Sequence, residues 1–145
     1  MIDVAVSPEP IDIAAATESV EVAGAGGIAS FIGRVRADDG VRALALEHYP
    51  GMTEAALVAI GEEAARRWSL MAVTIRHRVG PMVPGDRIVF VAAAAAHRAD
   101  ALAACAYCID RLKTDAPFWK REATDDGERW VDAREADQRR AADWA

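Results

Sequence analysis

The chain has 145 residues, of which 52% are hydrophobic and 28% charged, and its formal net charge is −6. This composition predicts one folded domain covering residues 1–145, because a disordered chain carries fewer apolar side chains. The acidic balance excludes a protein whose whole surface binds nucleic acid or anionic lipid. The sequence lacks the roughly 18-residue apolar run of a membrane span and the basic start of a secretory signal, so we expect a cytoplasmic protein.

Apolar periodicity predicts a mixed α+β fold that is mostly antiparallel. In the first half of the chain we expect a short helix, two strands joined by a turn at residues 37–40, and an amphipathic helix. In that order, the elements cover residues 11–20, 28–36, 41–49 and 53–68. Thr53 is the expected N-cap of the amphipathic helix. The apolar stripe of this helix consists of Leu57, Ile60, Ala64 and Trp68.

In the second half of the chain, the apolar pattern predicts two strands, a long helix, a hairpin and a charged C-terminal helix. These elements cover residues 70–79, 87–93, 97–114, 118–123 with 128–133, and 134–144. Residues 80–86 carry two prolines and a glycine, which favours a loop. The strand at 87–93 is apolar on both faces, so we expect it at the centre of a sheet. The stripe of the long helix consists of Leu102, Cys105, Ile109 and Leu112.

Cys105 and Cys108 form a C-x-x-C motif inside the long predicted helix. A redox motif of the thioredoxin type lies at a helix start, and a structural zinc site needs four ligands. We therefore interpret both cysteines as core residues. The sequence also shows no P-loop, dinucleotide fingerprint, Ser-His-Asp spacing or metal-binding cluster. We expect neither a metal nor a cofactor.

Six potential cations lie at the ends of predicted elements, where binding and catalytic residues concentrate. They are Arg34, Arg36, His97, Arg98, Lys113 and Lys120. The first two are expected to share a strand face, with Gly33 leaving space between them. The next two lie at a predicted helix N-terminus, which favours anions. If the six converge, their ligand is a phosphate or a carboxylate. Singly, solvation explains Arg98 and a capping role explains His97.

Residues 112–122, which we call the lysine segment, read LKTDAPFWKRE. Proline ends the preceding helix, and Lys113 and Lys120 flank two aromatic residues. Apolar neighbours desolvate an ammonium group, which lowers its pKa and makes the amine usable as an acid, base or nucleophile. Glu122 shares a predicted strand face with Lys120 and is a candidate to orient it or to share a proton with it. The simpler alternative is that Lys113 complements a helix C-terminus and Lys120 is an ordinary hairpin charge.

The order of these motifs resembles the family of the large, catalytic subunit of molybdopterin synthase. The resemblance covers residues 24–133, and six motifs in register make it specific. The motifs are FIGRVR at 31–36, LEHYPGM at 46–52, HRVG at 77–80, PGD at 84–86, AHR at 96–98, and the lysine segment. The resemblance implies an α/β hammerhead fold with an accompanying antiparallel β-sheet.

The resemblance also implies a sulfurtransferase of molybdenum cofactor biosynthesis. In this family the large subunit forms a homodimer at the centre of a heterotetramer, and a small ubiquitin-like sulfur-carrier subunit docks at each end. The carrier's C-terminal Gly-Gly tail, activated as a thiocarboxylate, inserts into a pocket of the large subunit. Sulfur passes to cyclic pyranopterin monophosphate (precursor Z) to form the molybdopterin dithiolene. The enzyme therefore needs no cysteine of its own.

By the same resemblance, Lys113 and Lys120 are the catalytic lysines and also contact the substrate. We assign Lys113 to the thiocarboxylate tail, where a cation stabilises charge as sulfur leaves the acyl carbon. Lys120 is assigned to proton transfer near the pterin. The resemblance makes Arg36, His97 and Arg98 the anion-pocket residues that hold the substrate phosphate. Some of them are expected to come from the second subunit, because the pocket lies near the dimer interface.

Glu122 completes the substrate-binding set, and Arg34 is a further candidate. Phe31 and Met52 are candidates for pocket walls, although core packing explains them equally well. The turn at residues 37–40 is shorter than the loop that the family often has, so substrate contacts from that loop are not transferred to this chain.

Two other classes of function stay open at the level of sequence. One is a non-catalytic module that docks a ubiquitin-like partner. The other is a Schiff-base lysine enzyme that acts on a small phosphorylated carbonyl compound. The C-terminal segment, residues 132–145, is interpreted as a solvated helix.

Overall fold

The computed structural model describes residues 1–37, 40–131 and 135–144. These residues form a mixed α+β architecture of two sheets and flanking helices, as predicted. The strands are β1 (Ile2–Ser7), β2 (Gly27–Arg34), β3 (Val41–His48), β4 (Ala72–Arg78), β5 (Gly80–Met82), β6 (Arg87–Ala95), β7 (Phe118–Thr124) and β8 (Gly127–Val131). The helices are α1 (Ile13–Glu18), α2 (Met52–Trp68), α3 (Arg98–Asp115) and α4 (Glu135–Ala142).

The first sheet has the strand order β1-β4-β6-β2. β6 pairs antiparallel with β4 and with β2, whereas β1 runs parallel to β4. The side chains of β6 are buried on both faces from Val89 to Ala95. The prediction of a central strand from its two apolar faces is therefore confirmed.

Helices cover both faces of the first sheet. Residues of α2 and α3, among them Leu57 and Cys108, pack with Val73 and Val91 on one face. On the other face α1 and the chain after it pack around Phe90. The core interpretation of the cysteines is confirmed, since both are buried and burial raises the pKa of Cys105 to about 11 and that of Cys108 to about 12.

The second sheet has the order β5-β3-β7-β8, and its strand pairs are all antiparallel. Its buried side is formed by Leu44, Leu46 and Met82, with Val35 and Val79 arriving from the first sheet. The chain crosses at Val35, where the amide donates to the Asp86 carbonyl at 2.9 Å. The lysine segment thus enters a sheet that packs against the end of the first sheet.

Several boundaries predicted from the sequence were wrong. Thr53 is not the N-cap of α2. Gly51 takes that position with a φ of 86°, a left-handed value that suits glycine. The Gly51 amide donates to Glu54 Oε2 at 3.1 Å, and the Thr53 hydroxyl donates to the Tyr49 carbonyl at 2.8 Å. The stripe of Leu57, Ile60 and Ala64 is confirmed, because all three are buried.

The predicted stripe of α3 was wrong at Leu102, which is 61% exposed. The buried positions next to it are Ala101 and Ala104, so the core-facing side of the helix is made of small residues. Small side chains let α3 approach the alanine-rich strand β6 closely. The following stripe positions, Cys105 and Leu112, are buried as predicted.

Three strand predictions also need correction. β1 was not predicted, although Ile2, Val4 and Val6 alternate as a half-buried strand does. The expected loop at 80–86 begins with β5, which pairs with β3. β2 ends at Arg34, after a register shift between Gly33 and Arg34, and not at residue 36. The turn at 37–40 and the end of the hairpin at 132–133 lie wholly or partly outside the described residues.

Across residues 1–37, 40–131 and 135–144, the structure contains no helix that is long and apolar enough to cross a membrane.

Candidate active site at the lysine segment

The lysine segment connects α3 to β7, and the helix ends abruptly within it. Ala116 is the C-cap of α3 and has extended backbone angles, φ −82° and ψ 136°. This geometry follows from Pro117, because proline disfavours the helical conformation of the residue before it. β7 then begins at Phe118. Lys113 therefore lies in the last turn of α3 and Lys120 lies on β7, as the sequence predicted.

The register between β3 and β7 decides which side chains share a face. Phe118 pairs with His48, Lys120 with Leu46, and Glu122 with Leu44. Residues directly opposite each other in an antiparallel pair project to the same face. Since Leu44 and Leu46 are buried, Lys120 is on the inner face of the second sheet, where it is half-buried. The prediction that Lys120 and Glu122 share a strand face is confirmed.

Glu122 makes its ion pair with Arg129 of β8. The Nε and Nη2 atoms of Arg129 both lie 3.2 Å from Oε1 of Glu122. The Glu122 side chain is only 16% exposed, so this pair is shielded from solvent more than the other ion pairs of the hairpin. Part of the acceptor capacity of Glu122 is thus committed to Arg129.

Phe118 contacts two histidines at the junction of the two sheets. Its ring stacks on His77 of β4, with centroids 3.9 Å apart and planes 21° from parallel. His48 of β3 lies on it more loosely, at 6.5 Å and 38°. The sequence places both histidines in the motifs at 46–52 and 77–80 but assigns neither a role. Sequence reasoning could have selected them, because two of the chain's three histidines fall at the ends of predicted strands.

His77 is held as an uncharged ring. Its pKa is lowered to about 4: burial is the main cause, the hydrogen bond to the Arg78 carbonyl opposes it, and the charges of Lys113 and His48 add smaller lowering effects. Nδ1 of His77 lies 2.9 Å from that carbonyl oxygen. Because a carbonyl only accepts, Nδ1 carries the hydrogen and Nε2 keeps a lone pair.

The other histidine that contacts Phe118, His48, also has its Nδ1 in a hydrogen bond. Its Nδ1 lies 3.3 Å from the Thr53 hydroxyl, whose hydrogen is given to the Tyr49 carbonyl. Nδ1 is therefore the donor in this bond. Oε1 of Glu54 lies 3.9 Å from the same nitrogen, and this buried atom accepts no hydrogen bond from any described residue.

The predicted anion residues lie at the opposite end of α3. His97 is exposed and occupies the N-cap position of α3, as the capping alternative expected, but its side chain makes no capping hydrogen bond. Arg98 begins the helix and is also exposed. An α-helix of 18 residues is about 27 Å long, so neither side chain meets Lys113 of the same chain. The six cations do not converge within one copy.

Glycines bring the start of β2 against this end of α3. A Cβ on Gly26 would lie 2.2 Å from the Ala96 carbonyl oxygen, and one on Gly27 would lie 3.0 Å from Cα of Arg98. The glycine-rich stretch therefore serves close backbone packing. The gap at Gly33 is filled in the same way, since a Cβ there would meet Cγ1 of Val89 at 2.6 Å.

The remaining candidates are on the surface. Phe31 is 41% exposed and Met52 is 64% exposed, so core packing explains neither. Arg34 ends β2, and its Nε donates to the Gly85 carbonyl at 3.1 Å. Arg36 lies beyond the strand and is exposed. Because β2 ends at Arg34, Arg36 lies outside the strand, and the expectation that the two arginines share a strand face stays a prediction.

Metal-binding clusters of three or more histidine, cysteine or acidic side chains are absent from the described ranges 1–37, 40–131 and 135–144.

Comparison with known proteins identifies the family. The family model described as MoaE protein matches residues 6–115, which is more than half of the chain. The chain belongs to the MoaE protein family. The matched range includes Lys113 and ends before Lys120. The chain is also 55% identical over 122 residues to the molybdopterin synthase catalytic subunit of Escherichia coli strain K12, an alignment that covers 82% of this chain and 81% of that one.

Solved structures of the MoaE family share the fold. The molybdopterin biosynthesis MoaE protein from Burkholderia ambifaria MC40-6 superposes with a TM-score of 0.86 at 49% identity, covering 99% of this chain and 98% of that one. The protein-protein complex of subunits 1 and 2 of molybdopterin-converting factor from Helicobacter pylori 26695 contains a chain with a TM-score of 0.72. That chain is 19% identical, over 92% of this chain and 90% of its own, so the likeness shows the fold alone.

Proposed function

We propose that this chain is the catalytic subunit of a molybdopterin synthase and transfers sulfur from a carrier thiocarboxylate to precursor Z. The observation that carries the proposal is the placement of the lysine segment. It sets one lysine at the end of α3 and the other on the inner face of β7, with half-buried Phe118 between them in the chain. The 55% identity to the Escherichia coli catalytic subunit supports the same reaction.

The chemistry needs a cation and a proton carrier, and the two lysines fit these roles. The thiocarboxylate sulfur forms a bond to a carbon of the pterin side chain as the bond from that carbon to its oxygen breaks; the oxygen stays on the opened phosphate at one carbon and leaves as water at the other. Water then attacks the acyl carbon, the carrier's carbon–sulfur bond breaks, and the carrier is left with a carboxylate. Lys113, exposed in the last turn of α3, stabilises charge on the acyl group. Lys120, half-buried beside Leu46, moves the protons. A dithiolene takes two sulfurs, so two carriers react.

The substrate phosphate is held by residues from a second copy. Arg98 and His97 lie about one helix length from Lys113, so a complete pocket needs another chain. β2 supports this arrangement, because it is an edge strand of the first sheet with Ile28, Phe31 and Ile32 each about 40% exposed. Long apolar edges are protected in natural proteins by pairing or covering. We infer a homodimer that buries this edge and places the anion residues of one copy near the lysines of the other.

The carrier docks on the outer face of the second sheet. Trp119 and Trp130 are 41% and 58% exposed there, and Tyr49 packs edge-on against Trp119 with centroids 4.5 Å apart. Exposed aromatic residues of this kind anchor protein interfaces. Trp119 is the neighbour of Lys120 in sequence, so a carrier bound here has its tail close to the lysine segment. In the Helicobacter pylori structure the two subunits of molybdopterin-converting factor form a complex.

Trp119→Ala tests the docking surface. We expect the affinity for the carrier to fall about tenfold or more, measured by calorimetry, because central aromatic residues dominate such interfaces. Val83→Ala, at another exposed apolar residue, is the matched control and keeps the affinity of the parent chain. Equal affinities of the Trp119 variant and the parent would contradict this placement of the carrier.

Single-turnover conversion of precursor Z tests the reaction itself. The chain is mixed with a carrier that ends in a thiocarboxylate, and in parallel with the same carrier ending in a carboxylate. Molybdopterin formed only with the thiocarboxylate supports sulfur transfer. Tight carrier binding without product would instead favour a docking module. A borohydride-trapped adduct with precursor Z in the absence of any carrier would favour a Schiff-base enzyme.

A further inference from the structure

Three arginines that the sulfur-transfer proposal does not use line one cleft of about 600 Å³, which we call the arginine cleft. They are Arg34 of β2, Arg78 of β4 and Arg87 of β6, and Asp86 lies in the same lining. The rest of the lining consists of Pro10, Ile11, Ile32 and Gly85. A cleft of this volume suits a small-molecule ligand. Its lining combines guanidinium groups with an apolar wall.

The arginine cleft and the lysine segment contact opposite faces of the first sheet. Side chains alternate along a strand, so the β4 neighbours His77 and Arg78 project to opposite faces. His77 stacks on Phe118 of the lysine segment. Ile11, in the wall of the cleft, packs with Phe90 on the face that α1 covers. The cleft is therefore separate from the candidate active site.

Two of the guanidinium groups lie side by side without a carboxylate partner. Arg34 and Arg87 are directly opposite each other in the antiparallel pair of β2 and β6. Their Cβ atoms are therefore about 5 Å apart, and like charges in such a pair are destabilising. Within the part of the chain that the structure describes, neither side chain makes an ion pair. A bound anion would relieve this repulsion.

The backbone and Asp86 hold the other side of the cleft in place. Nε of Arg34 donates to the Gly85 carbonyl at 3.1 Å, and a Cβ on Gly85 would lie 3.3 Å from Nη2 of Arg34. Nε of Arg78 donates to the Pro8 carbonyl at 3.1 Å, and its Nη1 lies 3.5 Å from Oδ2 of Asp86. That oxygen also accepts the Val83 amide. Three arginines against one aspartate leave the lining with two uncompensated positive charges.

We propose that the arginine cleft binds the phosphate group of a small phosphorylated compound, at a site separate from the lysine segment. A phosphate monoester carries a charge of about −1.5 to −2 near pH 7 and has three strong acceptor oxygens. These features match the two uncompensated charges and the three guanidinium groups of the lining. Guanidinium groups bind phosphate oxygens through two parallel hydrogen bonds. The apolar wall then contacts the body of the compound.

NMR titration of the full chain with phenyl phosphate tests the proposal, followed at the side-chain Nε–H groups of arginine. We expect the signals of Arg34, Arg78 and Arg87 to shift together and to saturate with a Kd of about 1 mM or tighter. The signals of Arg36 and Arg98, which lie outside the cleft lining, report separately on the substrate pocket. Malonate, a dianion without a phosphate group, should bind the cleft at least about tenfold more weakly at equal ionic strength. Cleft signals that do not shift, or an equal affinity for malonate, overturn the proposal.

Arg87→Gln removes one guanidinium group from an exposed position of the cleft. We expect the Kd for phenyl phosphate, read at the Arg34 and Arg78 signals, to rise about tenfold, the size of one hydrogen bond to a charged group. Arg42→Gln is the matched control, because it removes the same charge from an exposed arginine that pairs with Asp125 outside the cleft. An unchanged Kd in Arg87→Gln, or the same rise in Arg42→Gln, overturns the proposal.

Single-turnover sulfur transfer tests whether the cleft is separate from the reaction site. Arg87→Gln should convert precursor Z at the parental rate with thiocarboxylated carrier, because the cleft and the lysine segment contact opposite faces of the first sheet. A slower reaction in this variant would make the cleft part of the reaction site and would overturn the proposal of a separate one. The NMR titration decides whether the cleft binds phosphate whatever reaction the protein catalyses.

Discussion

Acidification should destabilise the fold through His77, and replacing that residue should remove the effect. Burial lowers the pKa of His77 from its ordinary value of 6.5 to about 4. The unfolded chain therefore binds one more proton than the folded chain between these two pH values. The stabilising contribution is complete above pH 6.5 and is lost as the pH falls toward 4. At about 1.4 kcal/mol per unit, the total loss is about 3 kcal/mol.

Urea unfolding at a series of pH values from 7 to 4 measures this loss. His77→Phe keeps the ring stack on Phe118, and its unfolded state has no imidazole to protonate at this position. We expect the free energy of unfolding of the parent to fall by about 3 kcal/mol more than that of the variant across this range. Carboxylates such as Asp3 are common to both chains and cancel in the difference. Parallel curves for the two proteins would show that His77 does not carry this pH dependence.

Three further predictions concern the frame of the site. Gly26→Ala forces a Cβ to within 2.2 Å of the Ala96 carbonyl, so urea unfolding should show a loss of about 1–3 kcal/mol, and no loss would contradict the close approach. Leu57→Ala leaves a cavity in the core between α2 and the first sheet, and should cost about 2–5 kcal/mol in the same assay. At pH 8 in native buffer, Cys105 and Cys108 should react with iodoacetamide at least about a hundredfold more slowly than in urea, because burial raises both thiol pKa values.

Much of the frame of this site could be predicted from the sequence because its signals are local. Pro117 ends α3, and the apolar positions Leu57, Ile60 and Ala64 orient α2. Alternation along β7 puts Lys120 and Glu122 on one face. The end of α3, the orientation of α2 and the shared face on β7 each depend only on residues a few positions apart. Over such short distances the helix and strand periods decide which side chains share a face.

The errors arose where the local sequence pattern was ambiguous or where the structure depends on contacts between distant parts of the chain. α3 is rich in alanine, so its periodicity did not decide whether Leu102 or its smaller neighbours face the core. The pairing of Glu122 with Arg129 follows from the short turn between β7 and β8, but it was not drawn from the predicted hairpin. The stack of His77 on Phe118 joins two sheets, and no spacing in the chain indicates it. By contrast, the separation of Arg98 from Lys113 was already contained in the length of the predicted helix.

In the proposed dimer, the lysines and the anion residues of one working site come from two copies of the chain. Mixed dimers test it directly. Lys113→Ala and Arg98→Ala chains carrying different tags are co-expressed, and the mixed dimer is isolated for single-turnover sulfur transfer. A shared site predicts that one of the two sites in each mixed dimer is intact, which restores about half of the parental activity while each variant alone is inactive. Activity no higher than that of the single-variant dimers would contradict the account.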